Sequence, residues 1–116
     1  MMQVIKAFKE AENHKGPSII IAYTPCIAHG IDGGLVNSVQ MEKEAVECGY
    51  FPIFRYNPLD KKFNLDYKNV DFDKFEDFLN KQARFKMLKE SDKNLMEKEK
   101  EEAIARYEYY QMLSEK

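Results

Sequence analysis

Between Pro17 and Thr24 the chain runs Ser18-Ile19-Ile20-Ile21-Ala22-Tyr23, and this segment restricts the fold more than any other. An isoleucine-rich run with no polar alternation leaves neither face suited to water, so it reads as a strand covered on both sides, the pattern of parallel sheets. Thr24 to Gly34, with Pro25, three glycines and an Asp32-Gly33 pair, reads as the loop leaving that strand. Leu35, Val36, Val39, Met41, Ala45 and Val46 then mark a loosely apolar helix that Cys48-Gly49 closes, before a second strand candidate at Tyr50 to Tyr56. Strand, loop, helix and strand make a βαβ unit, whose right-handed crossover sets the two strands parallel.

The flanks have helical spacing. Val4, Ile5, Phe8 and Ala11 describe one apolar face of a short helix that ends near Asn13 to Gly16. Asn57-Pro58-Leu59-Asp60 breaks the second strand, and a short strand is expected at Phe63 to Leu65. From Asp71 onward Phe75, Phe78, Phe85 and Leu88 form one buried stripe, with Asp71 or Asp73 as N-cap and a break at Ser91-Asp92. A long surface helix over Lys93 to Leu113 follows, with Ala103, Tyr107 and Tyr110 on one face. The expected fold is α/β: a partial parallel sheet (βαβ) within residues 1–70, and a C-terminal helical tail over 71–116 packing on it as part of one domain.

A chain of 116 residues suits a single core. Its net charge of −2 and pI near 5.7 exclude an electrostatic nucleic-acid binder. Met1 to Lys6 lacks the apolar core of a signal peptide, and no run approaches the ~18 apolar residues of a membrane span, so the expected location is cytoplasmic, with Cys26 and Cys48 kept reduced.

The chemistry concentrates in Tyr23 to Gly30, which places the Cys26 thiol and the His29 imidazole just beyond the carboxyl end of the first strand, where open α/β sheets build their sites. From position alone Cys26 is a metal or cluster ligand, a redox or nucleophilic thiol, or a small packed side chain. A self-contained iron or zinc site draws on four ligands, usually with a C-x-x-C pair, and the chain has none. Cys26 therefore counts as one ligand of a larger site at most, and Cys48 reads as structural. His29 reads as a hydrogen-bonding loop residue, with lowering of the Cys26 thiol pKa as the functional alternative. Gly30-Ile31-Asp32-Gly33-Gly34 fits neither phosphate-loop pattern and reads as a turn. Arg55, expected on the same sheet edge as Cys26, is either an anion ligand or the partner of the acidic tail.

These residues also carry a resemblance. Gly16 to Gly30, reading G-P-S-I-I-I-A-Y-T-P-C-I-A-H-G, is similar to the G-P-S-L-I-I-A-Y-x-P-C-I-x-H-G segment of pyruvate:ferredoxin and pyruvate:flavodoxin oxidoreductases. Gln40, Glu42, Lys43, Ala45-Val46 and Gly49-Tyr50 resemble that family's next helix and turn, Phe54 to Pro58 its L-Y-R-Y-N-P stretch, and Arg106 to Tyr110 its R-Y-E-Y-Y. The likeness covers about residues 4 to 113, and it implies a C-terminal piece of the thiamine-diphosphate-binding part of a longer enzyme.

In the family that part holds thiamine diphosphate, Mg2+ and a 4Fe-4S cluster whose fourth cysteine lies in this segment, so the resemblance gives Cys26 that role. It also implies a complete enzyme that decarboxylates pyruvate oxidatively to acetyl-CoA, with coenzyme A, ferredoxin or flavodoxin, and the rest of the parent polypeptide as partners. The upstream cysteines and the G-D-G motif with its following asparagine are missing, so the chain alone is expected to be inactive and to bind no cofactor. Ala28 stands where family members carry asparagine, and Gly33-Gly34-Leu35 departs from the commoner spacing; both bear on contacts around the cluster and leave the cysteine in place. A stand-alone thiol redox protein using Cys26 and a non-catalytic interaction module are the alternatives. Apolar surface around Ile19 to Tyr23 is expected to drive self-association.

Overall fold

A computed structural model describes residues 2–92 and 94–116. The N-terminal helix α1 spans Met2–Asn13 as the spacing predicts, and the second helix α2 spans Ser38–Glu47, preceded by a 3-10 turn at Leu35–Asn37. Cys48 caps α2 with its backbone N–H, and Gly49 follows at φ 82°, the left-handed geometry that ends a helix most cheaply when no Cβ is present. An added Cβ there would strike the Phe72 ring and Val70.

The sheet differs from the expectation. It has two strands, β1 at Phe54–Asn57 and β2 at Lys62–Leu65, and they are antiparallel, pairing Phe54 with Leu65 and Asn57 with Lys62. The turn-forming Asn57-Pro58-Leu59-Asp60 sequence joins two strands of one hairpin: Asn57 Oδ1 accepts from Leu59 N and Asp60 Oδ1 from Lys62 N, each at 3.0 Å, and Lys61 takes φ 54°. The run Ser18–Tyr23 belongs to no strand in the described chain, so no parallel pair forms. Ladder hydrogen bonds require a neighbouring backbone, and β propensity without one leaves Ile19 87% and Ile21 74% exposed.

Two helices, α3 at Phe75–Asn80 and α4 at Ala83–Ser91, replace a single stripe-bearing helix. Asp71 caps the 3-10 turn Phe72–Lys74 that leads into α3, its carboxylate accepting from Asp73 N. Phe75 and Phe78 are buried and Phe85 is half-buried, whereas Leu88 is exposed because the chain bends between α3 and α4 and carries it off the stripe. The last helix, α5, spans Leu95–Ser114; the expected start at Lys93 lies outside the described residues.

The core gathers Ile31, Met41, Ala45 and Cys48 with Phe75, Phe78, Leu79, Met96 and Ala103. Tyr107, also buried, donates its hydroxyl to Tyr67 O at 3.2 Å and packs edge-on against Phe72, and Tyr110 closes a second aromatic group with Phe54 and Phe63. Ala103 and Tyr107 are buried and Tyr110 is half-buried, on one face of α5 as their spacing predicts.

Candidate functional site

The Cys26 loop is held by backbone contacts more than by side chains. Cys26 precedes a 3-10 turn at Ile27–His29, in which His29 N donates to Cys26 O at 3.1 Å and Gly30 N to Ile27 O at 3.0 Å. Two further bonds tie the loop to the α3–α4 joint: Ala83 N to Gly30 O and Asp32 N to Lys81 O, both 3.0 Å. Gly30, at φ 72°, lies so close to Ala83 that a Cβ would meet that side chain at 2.6 Å, which explains the need for glycine at this crossing. Asn37 donates to Asp32 O at 2.9 Å, and Lys86 reaches the Asp32 carboxylate at 3.2 Å. The glycine-rich segment is thus a turn, and Ile31 enters the core from it.

On this loop Cys26 is a free, exposed thiol, and His29 is exposed as well. Cys48 is different: 1% exposed, its sulfur faces Ala45 O at 3.7 Å, and burial pushes its thiol up to about 11 despite backbone hydrogen bonds that oppose the shift. From an ordinary value of 9.0 that rise lowers its thiolate fraction about 100-fold. A thiol-labelling time course near neutral pH is therefore expected to show one fast and one slow cysteine, with both reacting fast in denaturant. Two fast thiols in the native chain would contradict the burial of Cys48.

Arg55, read from sequence as an anion ligand or a partner of the acidic tail, does neither. Its Nε and Nη2 bind the two oxygens of Asp66, each at 2.8 Å, while Nη1 reaches Glu10 on α1. Gln3 Nε2 adds a bond to Asp66 at 3.0 Å. The network ties α1 to the hairpin, and because the hairpin is antiparallel Arg55 does not share a parallel sheet edge with Cys26. Burial opposes ionisation of Asp66, yet the hydrogen bonds and charge of Arg55 outweigh it and hold the carboxyl below its ordinary value of 3.8. The same bonds raise the guanidinium pKa. Sequence reading missed Asp66, Glu10 and Gln3; the one available signal was an arginine on a strand with no ligand motif nearby.

A 4Fe-4S cluster needs four soft donors, and the geometry provides one. Among the described residues there is no group of three or more His, Cys, Asp or Glu able to hold a metal ion. Cys26 fits as a single thiolate presented outward on a fixed loop; buried Cys48 does not fit as a second. No helix of the described chain is long and apolar enough to cross a membrane.

No protein-family model matches the chain. Individual proteins do. Pyruvate:ferredoxin oxidoreductase of Moorella thermoacetica is 43% identical over 97% of the chain and 10% of its own length. Pyruvate-flavodoxin oxidoreductase of Nostoc is 39% identical with the same coverage. Pyruvate dehydrogenase [NADP(+)] of Euglena gracilis is 37% identical over 79% of the chain and 5% of its own length. The chain spans about a tenth of the first two relatives, and by sequence it belongs with the pyruvate:ferredoxin and pyruvate:flavodoxin oxidoreductases as a piece of that length.

Proposed function

We propose that the chain supplies one thiolate, from Cys26, to a 4Fe-4S cluster in a complete pyruvate:ferredoxin or pyruvate:flavodoxin oxidoreductase of the cytoplasm. The observation that carries this is an exposed free cysteine on a loop pinned at Gly30 and Asp32, within a chain 43% identical to such an enzyme. The other three ligands and the groups that hold thiamine diphosphate and Mg2+ come from the rest of the parent polypeptide. When bound, the cluster supplies one-electron steps between the decarboxylation of pyruvate and the ferredoxin or flavodoxin acceptor, with the acetyl group passing to coenzyme A. This chain's own part is to present the sulfur: the 3-10 turn after Cys26 and the two bonds to the α3–α4 joint fix the loop before any metal arrives, which limits the ordering cost of ligation.

The division into an α/β segment over 1–70 and a helical segment over 71–116 belongs to the same proposal. Within the parent, Ser18–Tyr23 becomes a strand of a parallel sheet whose neighbours lie outside this chain. Support comes from its isoleucines, exposed here and suited to cover on both faces. The test is complementation. A relative such as the Moorella enzyme, deleted for the segment matched by this chain and co-expressed with the chain, is expected to regain pyruvate- and coenzyme-A-dependent viologen reduction, while the chain alone gives none. Association without restored activity, or turnover by the chain alone, would overturn the reading.

Unpaired, the same strand should promote self-association. Ile19 and Ile21 are joined by exposed Leu35, Val36 and Val39, at 65%, 86% and 76%. Light scattering is expected to show dimers or larger species at high concentration, and Ile19→Glu with Ile21→Glu to shift them toward monomer. A strictly monomeric wild-type chain would contradict this.

A further inference from the structure

A cavity of about 320 Å³ lies between the aromatic residues that follow α2 and the face of α5, and Cys26 does not line it. At the low end of the roughly 300–1,000 Å³ typical of small-molecule sites, it suits one side-chain-sized group. Its walls are aromatic: Tyr23 stacks on Phe51 with centroids 5.4 Å apart and meets Tyr50 edge-on at 5.8 Å, and the fully buried Phe75 backs them. From α5 come Glu99, Glu102 and Arg106, spaced three and four residues apart and so on one helix face.

The charges at the rim are unequal. Arg106 is anchored, its Nη2 donating to Tyr50 O at 3.0 Å. Among the described residues neither Glu99 nor Glu102 has an ion-pair partner. The Tyr23 hydroxyl is buried away from solvent, so it is the Glu99 and Glu102 carboxylates that offer lone pairs to an incoming donor. Aromatic faces carry negative charge density and the two carboxylates add more; at the rim Arg106 offsets half of theirs, while a second guanidinium, Arg84, is engaged by the Tyr50 hydroxyl at 3.3 Å and the Phe85 ring. The complement is a small cation with N–H donors and an apolar stem.

We propose that this cavity binds a primary alkylammonium group, of the kind carried by a lysine side chain or a free alkylamine. It stands apart from the proposed role of Cys26 and shares no residue with it. The test is a titration of the full chain followed by the aromatic NMR signals of Tyr23, Tyr50 and Phe51, with n-butylammonium and the neutral 1-pentanol at constant ionic strength. The expected result is saturable shifts with n-butylammonium binding about fivefold or more tightly than the alcohol, the ratio set by cation–π and carboxylate contributions at a half-exposed site.

Glu99→Gln with Glu102→Gln is expected to weaken amine binding toward the alcohol's affinity, leaving only the cation–π share of the preference, while signals outside the cavity stay unchanged. Nα-acetyl-lysine methylamide binding more tightly than n-butylammonium would mark a polypeptide side chain as the source, and the reverse order a free amine. Equal affinity for amine and alcohol, or full amine binding in the double variant, would overturn the proposal.

Discussion

Cys26→Ser is expected to abolish the viologen reduction restored when this chain is co-expressed with a truncated relative, a loss of more than about 100-fold, while the two pieces still associate. Groups that merely orient a metal's ligands cost about 10- to 100-fold when removed, so loss of a direct thiolate should exceed that range. A serine hydroxyl is close in size, and Cys26 is exposed. The fold should therefore survive, which separates loss of a ligand from loss of the domain.

Electron paramagnetic resonance of the reduced complex is expected to show a missing or altered cluster signal in the serine variant. Cys48→Ser gives the contrasting result. Its thiol is buried, so any loss should follow stability and leave the signal intact. If Cys26→Ser retained both activity and signal, the cysteine would be no ligand, whatever the likeness to the relatives.

The elements with local signals were legible in the sequence. Helix α1 could be read from Val4, Ile5, Phe8 and Ala11, and the end of α2 from Cys48-Gly49, because periodicity and a left-handed glycine act within a few residues. The extended propensity of Ser18–Tyr23 was legible, but a strand also needs a pairing neighbour, and among the described residues the run has none. The hairpin lay in plain view at Asn57 to Asp60, but a parallel partner assumed for the first strand hid it.

For the candidate site, position and family likeness singled out Cys26. The bonds that fix its loop come from Lys81 and Ala83, about fifty residues on, and are backbone bonds that no residue type announces. Arg55 was recognised as a charge needing a partner. Its partner was the adjacent strand's end and α1, because a bidentate carboxylate eleven residues away was nearer than the acidic tail.

That partner choice leads to the largest expected stability effect. Arg55 and Asp66 have side chains only 11% and 12% exposed, so Arg55→Ala leaves a mostly buried carboxylate without its two strongest hydrogen bonds. Breaking one side of a buried pair costs about 3 kcal/mol, and with α1 also losing its Glu10 contact the melting temperature should fall by roughly 10 °C. Replacing both partners, as in Arg55→Met with Asp66→Leu, removes the uncompensated charge and should cost less than the single change.

The pH dependence carries a sign. Because the folded Asp66 carboxyl titrates below its ordinary value of 3.8, the pair's contribution is fully present above that value and disappears as pH falls through the lower folded one. Urea unfolding at pH 7 should therefore separate wild type from the double variant more than unfolding near pH 2.5 does. A difference that stays constant across that range would mean that Asp66 is not held ionised by Arg55 in the folded chain. A difference that grows on acidification would reverse the sign of the linkage and place the stabilising contact elsewhere.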